Sequence, residues 1–173
     1  MDGYIEILQD PSKQNLKVNI YRNVLQTMES GSIAPEKIEV LLKLFDKDML
    51  LNMQYSSSIL GSIKNILNRI KDGTYPEFPY LTNVAGTIFD LLAMTAPLHQ
   101  VQLVQNSCLD ILQSYPESCL AQVVAVNPQS ICTLMIQYLG NANIDILIKK
   151  SILQLLLTWI KLIPEEKKGE FVS

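Results

Sequence analysis

Histidine is almost missing from this chain: His99 is the only one in 173 residues. A Ser-His-Asp or Cys-His relay would have to use that residue, and no G-x-S-x-G turn accompanies it. His99 follows Ala96-Pro97-Leu98, where a surface or helix-capping role is expected. Cysteine is scarce and odd in number. Cys108, Cys119 and Cys132 stand 11 and 13 residues apart without a C-x-x-C, which excludes a disulfide framework and a zinc cluster. Each lies within an apolar segment, as expected of buried free thiols in a reducing compartment. The 7 glycines are isolated, so no phosphate-cradling loop is present. Acidic residues do not pair at catalytic spacing in an apolar setting, and Glu165-Glu166 reads as a helix start favoured by the dipole. These absences predict a protein that is not an enzyme and has no metal, no cofactor and no small-molecule substrate.

Charge and long apolar runs are also thin. Charged residues make up 18% of the chain, and 14 basic against 17 acidic side chains leave a formal charge of −3. Nothing in that balance attracts a polyanion, so nucleic acid is an unlikely partner. The longest uncharged apolar-rich run, Ser151–Ile160 between Lys150 and Lys161, falls short of the roughly 20 residues that span a bilayer. The opening MDGYIEILQDP has no basic region followed by an apolar one, so no signal peptide is read there. A soluble intracellular protein is expected, cytoplasmic or nuclear.

What is abundant is helical apolar pattern. Apolar residues reach 48%, and the glycines and 8 prolines fall mostly at segment edges, which favours an all-α fold. The end of a helix is read over residues 3–9, and helices from about Lys13 to Glu29, from Ser32 and Pro35 to Phe45, and onward to Ile70 after a turn at Asp46–Asp48. An extended loop, GTYPEFP, follows at 73–79. Further helices are expected from Tyr80 to Met94, His99 to Tyr115, Pro116 to Val126 and Asn127-Pro128 to Leu139. Asn143 is read as the cap of a long helix reaching Pro164, and 164–173 as the start of another element.

One helix type recurs. With anchors at Ile20, Tyr55, Val104 and Ile148, the +4 residues are Val24, Ile59, Cys108 and Ile152. The +5 residues are Leu25, Leu60, Leu109 and Leu153, and the +8 residues Met28, Ile63, Leu112 and Leu156. All are apolar or aromatic. A polar stripe opposes them: Asn23, Ser58, Ser107 and Ser151 at +3; Gln26, Gly61, Asp110 and Gln154 at +6; Ser30, Asn65, Ser114 and Thr158 at +10. At 100° per residue the apolar set spans about 0–140° and the polar set about 240–300°. Each copy follows a shorter apolar helix, ending near Leu8, Phe45, Leu92 and Leu139, and the anchors lie 35, 49 and 44 residues apart.

This period of paired helices resembles armadillo and HEAT repeats, most closely in the apolar frame of NPQSICTLMIQYLGNANIDILIKKSILQLL. The resemblance implies a right-handed α-solenoid of about four helical-hairpin repeats, roughly 3–31, 32–72, 80–115 and 127–163, in a single domain, and the apolar outer side of the last repeat, where a polar cap is usual, leads to the expectation that this domain is part of a longer chain. It also implies a protein–protein interaction scaffold. Armadillo proteins that bind extended peptides carry Trp at +6 and Asn at +10; here +6 has no Trp, and +10 has Asn only at Asn65, so the Asn-ladder mode is not expected.

Several candidate contacts with a partner peptide or helix follow. The polar stripe, including Asn65, Asp110 and Gln154, forms a solvated helix face or hydrogen-bonds a peptide backbone. Lys13, Lys17 and Arg22 form a small basic patch; Lys64 and Arg69 flank Asn65. In GTYPEFP, Tyr75 and Phe78 either pack over helix ends or anchor a partner. The last helix carries two apolar faces. Leu155 and Trp159 lie on one, with Ile148, Ile152, Leu156 and Ile163; Leu153, Leu157 and Ile160 lie on the other, with Ile146. One face awaits a further repeat, a partner, or a second copy in a homodimer. Alternatives are a superhelical adaptor of VHS, ENTH or polymerase-tail-binding type, reading phosphopeptides or lipid head groups, and a purely structural domain of a larger complex.

Overall fold

The computed structural model describes residues 1–96, 98, 102–126, 128–142 and 144–162. The expected roles of Pro97, His99, Asn127 and Asn143, the packing of Ile163 and the element at 164–173 lie outside them. The described residues are helical with no strand, in keeping with the all-α reading. Packing divides the chain into two compact units, Met1–Thr87 and Ile88–Ser173.

The first unit contains α1 (Asp2–Gln9), a 3₁₀ turn (Pro11–Leu16), α2 (Lys17–Ser30), α3 (Pro35–Asp48), α4 (Met53–Lys71) and the start of α5 (Leu81–Thr95). The sequence starts a helix at Lys13, but regular α-helix begins only at Lys17. Asp10 caps the preceding turn by accepting from Ser12 N at 2.9 Å, and Lys13 takes a non-helical φ of −115°. The turn expected at Asp46–Asp48 is helical instead; the chain reverses after it, and Asn52 Oδ1 caps α4 by accepting from Gln54 N at 2.9 Å. Gly61 lies where α2 packs on α4, and a Cβ there would sit 3.1 Å from a Leu25 methyl, which would have to give by a few tenths of an ångström. Gly73, at φ 85°, ends α4 in the left-handed region that favours glycine.

Asp48 is drawn into the helix by what it meets inside. Lys17 and Asp48 are 1% and 0% exposed, and Lys17 Nζ donates to both carboxylate oxygens at 3.1 Å. Tyr21 also donates to Asp48 Oδ2, and its hydroxyl lies 3.3 Å from Leu44 O. Burial, together with the hydrogen bond to Asp48, pushes the Tyr21 phenol far above its ordinary range. The Tyr21 ring packs against Phe45 and Tyr55, both at 5.8 Å between centroids. The sequence reading of Lys17 as part of a surface patch is therefore corrected: its ammonium is the partner of a buried carboxylate 31 residues away.

The GTYPEFP loop turns inward. Tyr75 and Phe78 are buried, with centroids 6.0 Å apart, and Tyr75 Oη accepts from Ile33 N at 2.8 Å. Asp72 shapes the turn by accepting from Thr74 N at 2.9 Å. Of the two expectations for this loop, packing over helix ends holds. Tyr75 and Phe78 have no surface left for a partner.

The second unit contains the end of α5, then α6 (Gln102–Ser114), α7 (Glu117–Val126), α8 (Pro128–Gly140) and α9 (Ile146–Leu162), with α9 packed against α6, α7 and α8. Trp159 is buried with its ring 4.9 Å from Phe89 at 67°. Side chains add donors to the carbonyls around the end of α5, where Leu92 O and Thr95 O also accept from Ala96 N and Leu98 N at 3.0 Å each. Tyr138 donates to Leu92 O at 2.6 Å, Gln105 Nε2 to Thr95 O at 3.0 Å, and Asn141 Nδ2 to Ala96 O at 3.2 Å. Burial pushes the Tyr138 phenol and the Cys108 thiol up to about 12.

Two predictions follow from this packing. Asp48→Ala strands a buried ammonium and should cost about 3–5 kcal/mol in urea unfolding, whereas Lys17→Met with Asp48→Leu should be near neutral. A loss under about 1 kcal/mol in the single variant would show the ion pair to be energetically idle. Both raised groups bind their protons more tightly when folded. Their stabilisation is complete below the ordinary values of 9.0 for Cys108 and 10.0 for Tyr138, and is lost as pH rises through about 12. The unfolding free energy should thus decline between those values, and Tyr138→Phe should flatten the upper part of the decline in a pH series of melts.

Candidate interaction surface on α9

Helix α9 is built as ILIKKSILQLLLTWIKL, and Asp145 opens it by accepting from Leu147 N at 2.7 Å. Ile148, Ile152, Leu155 and Trp159 follow one another at helical spacing and are all buried. On the opposite side, within about 60° of one another on the helical wheel, stand Ile146, Leu153, Leu157 and Ile160. They are 79%, 48%, 65% and 40% exposed. The described residues leave this second apolar face open.

Of the expected site residues, the structure therefore keeps Leu153, Leu157 and Ile160 on the surface and removes Leu155 and Trp159 from it. Those two are only 3% and 0% exposed, because their face is the one α9 turns to α6, α7 and α8. Their role is to hold α9 in place.

The polar stripe is exposed or half-buried at every position in all the anchor-type helices. Three of its +10 hydroxyls are satisfied within their own helix. Ser30 donates to Gln26 O at 2.9 Å, Ser114 to Asp110 O at 3.1 Å and Thr158 to Gln154 O at 3.2 Å. Asn65, the fourth +10 residue, accepts from Arg69 Nε at 2.9 Å, and the same guanidinium donates to Met28 O at 2.8 Å. Arg69 thus closes the end of α2, and the basic site expected around Asn65 is committed to a structural contact.

Asp110 and Gln154 lie in the second unit along the α6–α9 surface. A depression of about 380 Å³ is lined by Leu103, Asn106, Ser107, Asp110 and Ser151 among others. A second of about 250 Å³ is lined by Gln154, Leu155, Thr158, Tyr115 and Glu117 among others, and Gln113 borders both. Each has one charged lining residue, Asp110 in the first and Glu117 in the second, and both are acidic. Sequence reasoning missed Leu103 and Leu147, which are 85% and 68% exposed. The signal was available. Each precedes its anchor by one residue and so falls within the polar sector, where the equivalent residues of the first unit are Asn19 and Gln54.

No cluster of His, Cys, Asp and Glu that could hold a metal occurs among the described residues, and none of their helices is long and apolar enough to cross a membrane. The chain matches no protein-family model, no curated protein and no solved structure.

The two faces of α9 predict opposite mutational outcomes. Leu157→Asp should change unfolding free energy by no more than about 0.5 kcal/mol, as expected for a surface substitution. Trp159→Asp should cost more than about 4 kcal/mol or prevent folding, because it places a charge among apolar side chains. Denaturant titration of both variants checks this; equal losses would show that the open face is covered.

Proposed function

We propose that the chain is a non-enzymatic protein-interaction scaffold of armadillo/HEAT type, a right-handed α-solenoid of about four helical-hairpin repeats that docks a partner peptide or helix on the open face of α9. The observation that carries this reading is the set of four exposed aliphatic side chains in register on one helix, Ile146, Leu153, Leu157 and Ile160. Fully covering each such side chain is worth roughly 1.5–3 kcal/mol, and a contiguous apolar face of this kind marks an interaction surface.

The repeat part of the reading is supported by the pairing of like with like. The anchor-type helices pack against each other within each unit, α2 on α4 and α6 on α9. Their +4 residues, Val24, Ile59, Cys108 and Ile152, are all completely buried. A second mode, a peptide lying in the α6–α9 depressions, is favoured by Leu103 standing beside Asn106, Asp110 and Gln113. A phosphopeptide or head-group reader is disfavoured, because Lys17 is buried and Arg69 is held by Asn65 and Met28 O, which removes two of the cations a basic pocket would draw on.

Affinity capture with mass spectrometry tests the assignment. Partners recovered with the native chain should disappear with Leu157→Asp/Ile160→Asp while the melting temperature stays unchanged. An identical partner set from both proteins would sink the α9 reading, and the loss of partners in Asp110→Lys instead would move the site to the depressions.

A further inference from the structure

The open face of α9 has a one-signed border. Ile146, Leu153, Leu157 and Ile160 form its apolar strip, and on the helical wheel Lys150 and Lys161 flank it on one side and Lys149 on the other. Helix α9 contains no acidic residue, and none of these lysines forms an ion pair with another described residue. The strip is linear, following one 17-residue helix. Its spacing matches helix-on-helix packing, in which residues at i, i+4 and i+7 line one face.

We infer that the occupant of this face is an amphipathic helix whose apolar stripe is flanked by aspartate and glutamate, laid along α9. This deepens the docking function proposed above and rests on it. A second copy of the chain is a poorer occupant. In a twofold pairing of α9 with itself, parallel or antiparallel, the borders brought together are both lysine, and like charges across an interface oppose association. An anionic membrane is also a poorer fit. The polar side of α9, with Ser151, Gln154 and Thr158, lines depressions that also carry Asp110 and Glu117, acids that repel a flat anionic layer.

Two synthetic peptides of about 18 residues test this, matching the 17 residues of α9. Both carry the same Leu/Ile stripe at i, i+3, i+4 and i+7; one is flanked by Glu and the other by Lys. Fluorescence anisotropy against the full chain should show the Glu-flanked peptide binding at least about tenfold tighter, with the difference shrinking at high salt. Lys150→Glu/Lys161→Glu should reverse the preference, and Leu157→Asp should abolish both interactions. Equal binding of the two peptides, still lost in Leu157→Asp, would overturn the acidic partner while leaving the docking face standing. No binding of either peptide, with native partners still captured through Leu157, would have the same meaning. A Leu157-dependent dimer in sedimentation would assign the face to a second copy. Leu157-dependent binding to phosphatidylserine vesicles, with no peptide preference, would assign it to a membrane.

Discussion

Helix ends dominate the internal chemistry of this chain. An α-helix leaves its last carbonyls without intrahelical donors, and burying them bare costs about as much as a lost hydrogen bond each. Here neighbouring side chains add donors at the helix ends, alone or beside a backbone N–H. Arg69 reaches Met28 O at the end of α2, Ser56 reaches Met49 O beyond α3, and Tyr138, Gln105 and Asn141 together cover the end of α5. Each such bond joins two elements and sets the level at which one helix ends beside another. The faces left over after that docking are the ones available for function.

The first unit also buries a charged contact. Lys17, Tyr21 and Asp48 converge from α2 and the end of α3, with Tyr21 near the Leu44 carbonyl as well. A buried ion pair of this kind adds little net stability over an apolar substitute, but it tolerates no partial loss. It therefore constrains which residues of α2 and α3 can face each other more than it strengthens their contact. In the second unit the buried polar contacts around the end of α5 use the neutral groups of Tyr138 and Gln105.

Much of the helix pattern and part of the site were legible. The recurring +4 positions are all buried and none of the polar stripe is, because a 100° rotation per residue makes inside and outside readable from spacing alone. The second apolar face of α9 was likewise readable, since no single neighbour covers a helix that is apolar over most of its circumference. The spacing left Tyr75 and Phe78 open between core and partner contact, and it offered Leu155 and Trp159 as contacts although they are buried, for one reason: large apolar side chains serve a core and an interface equally well, and composition does not separate the two. Trp159 illustrates it. The residue type most associated with interface hot spots stands edge-on to Phe89 in the core.

By itself the sequence determined the helices and their amphipathic phase, both of them local properties. Only the tertiary structure decided that Lys17 is buried rather than displayed, that Arg69 closes the end of α2 rather than offering a basic site, and which face of α9 stays open. Those outcomes depend on contacts between residues 31 and 41 positions apart, such as Lys17 with Asp48 and Arg69 with Met28. No periodicity encodes such pairings, because they are set by how the helices dock and not by how each one forms.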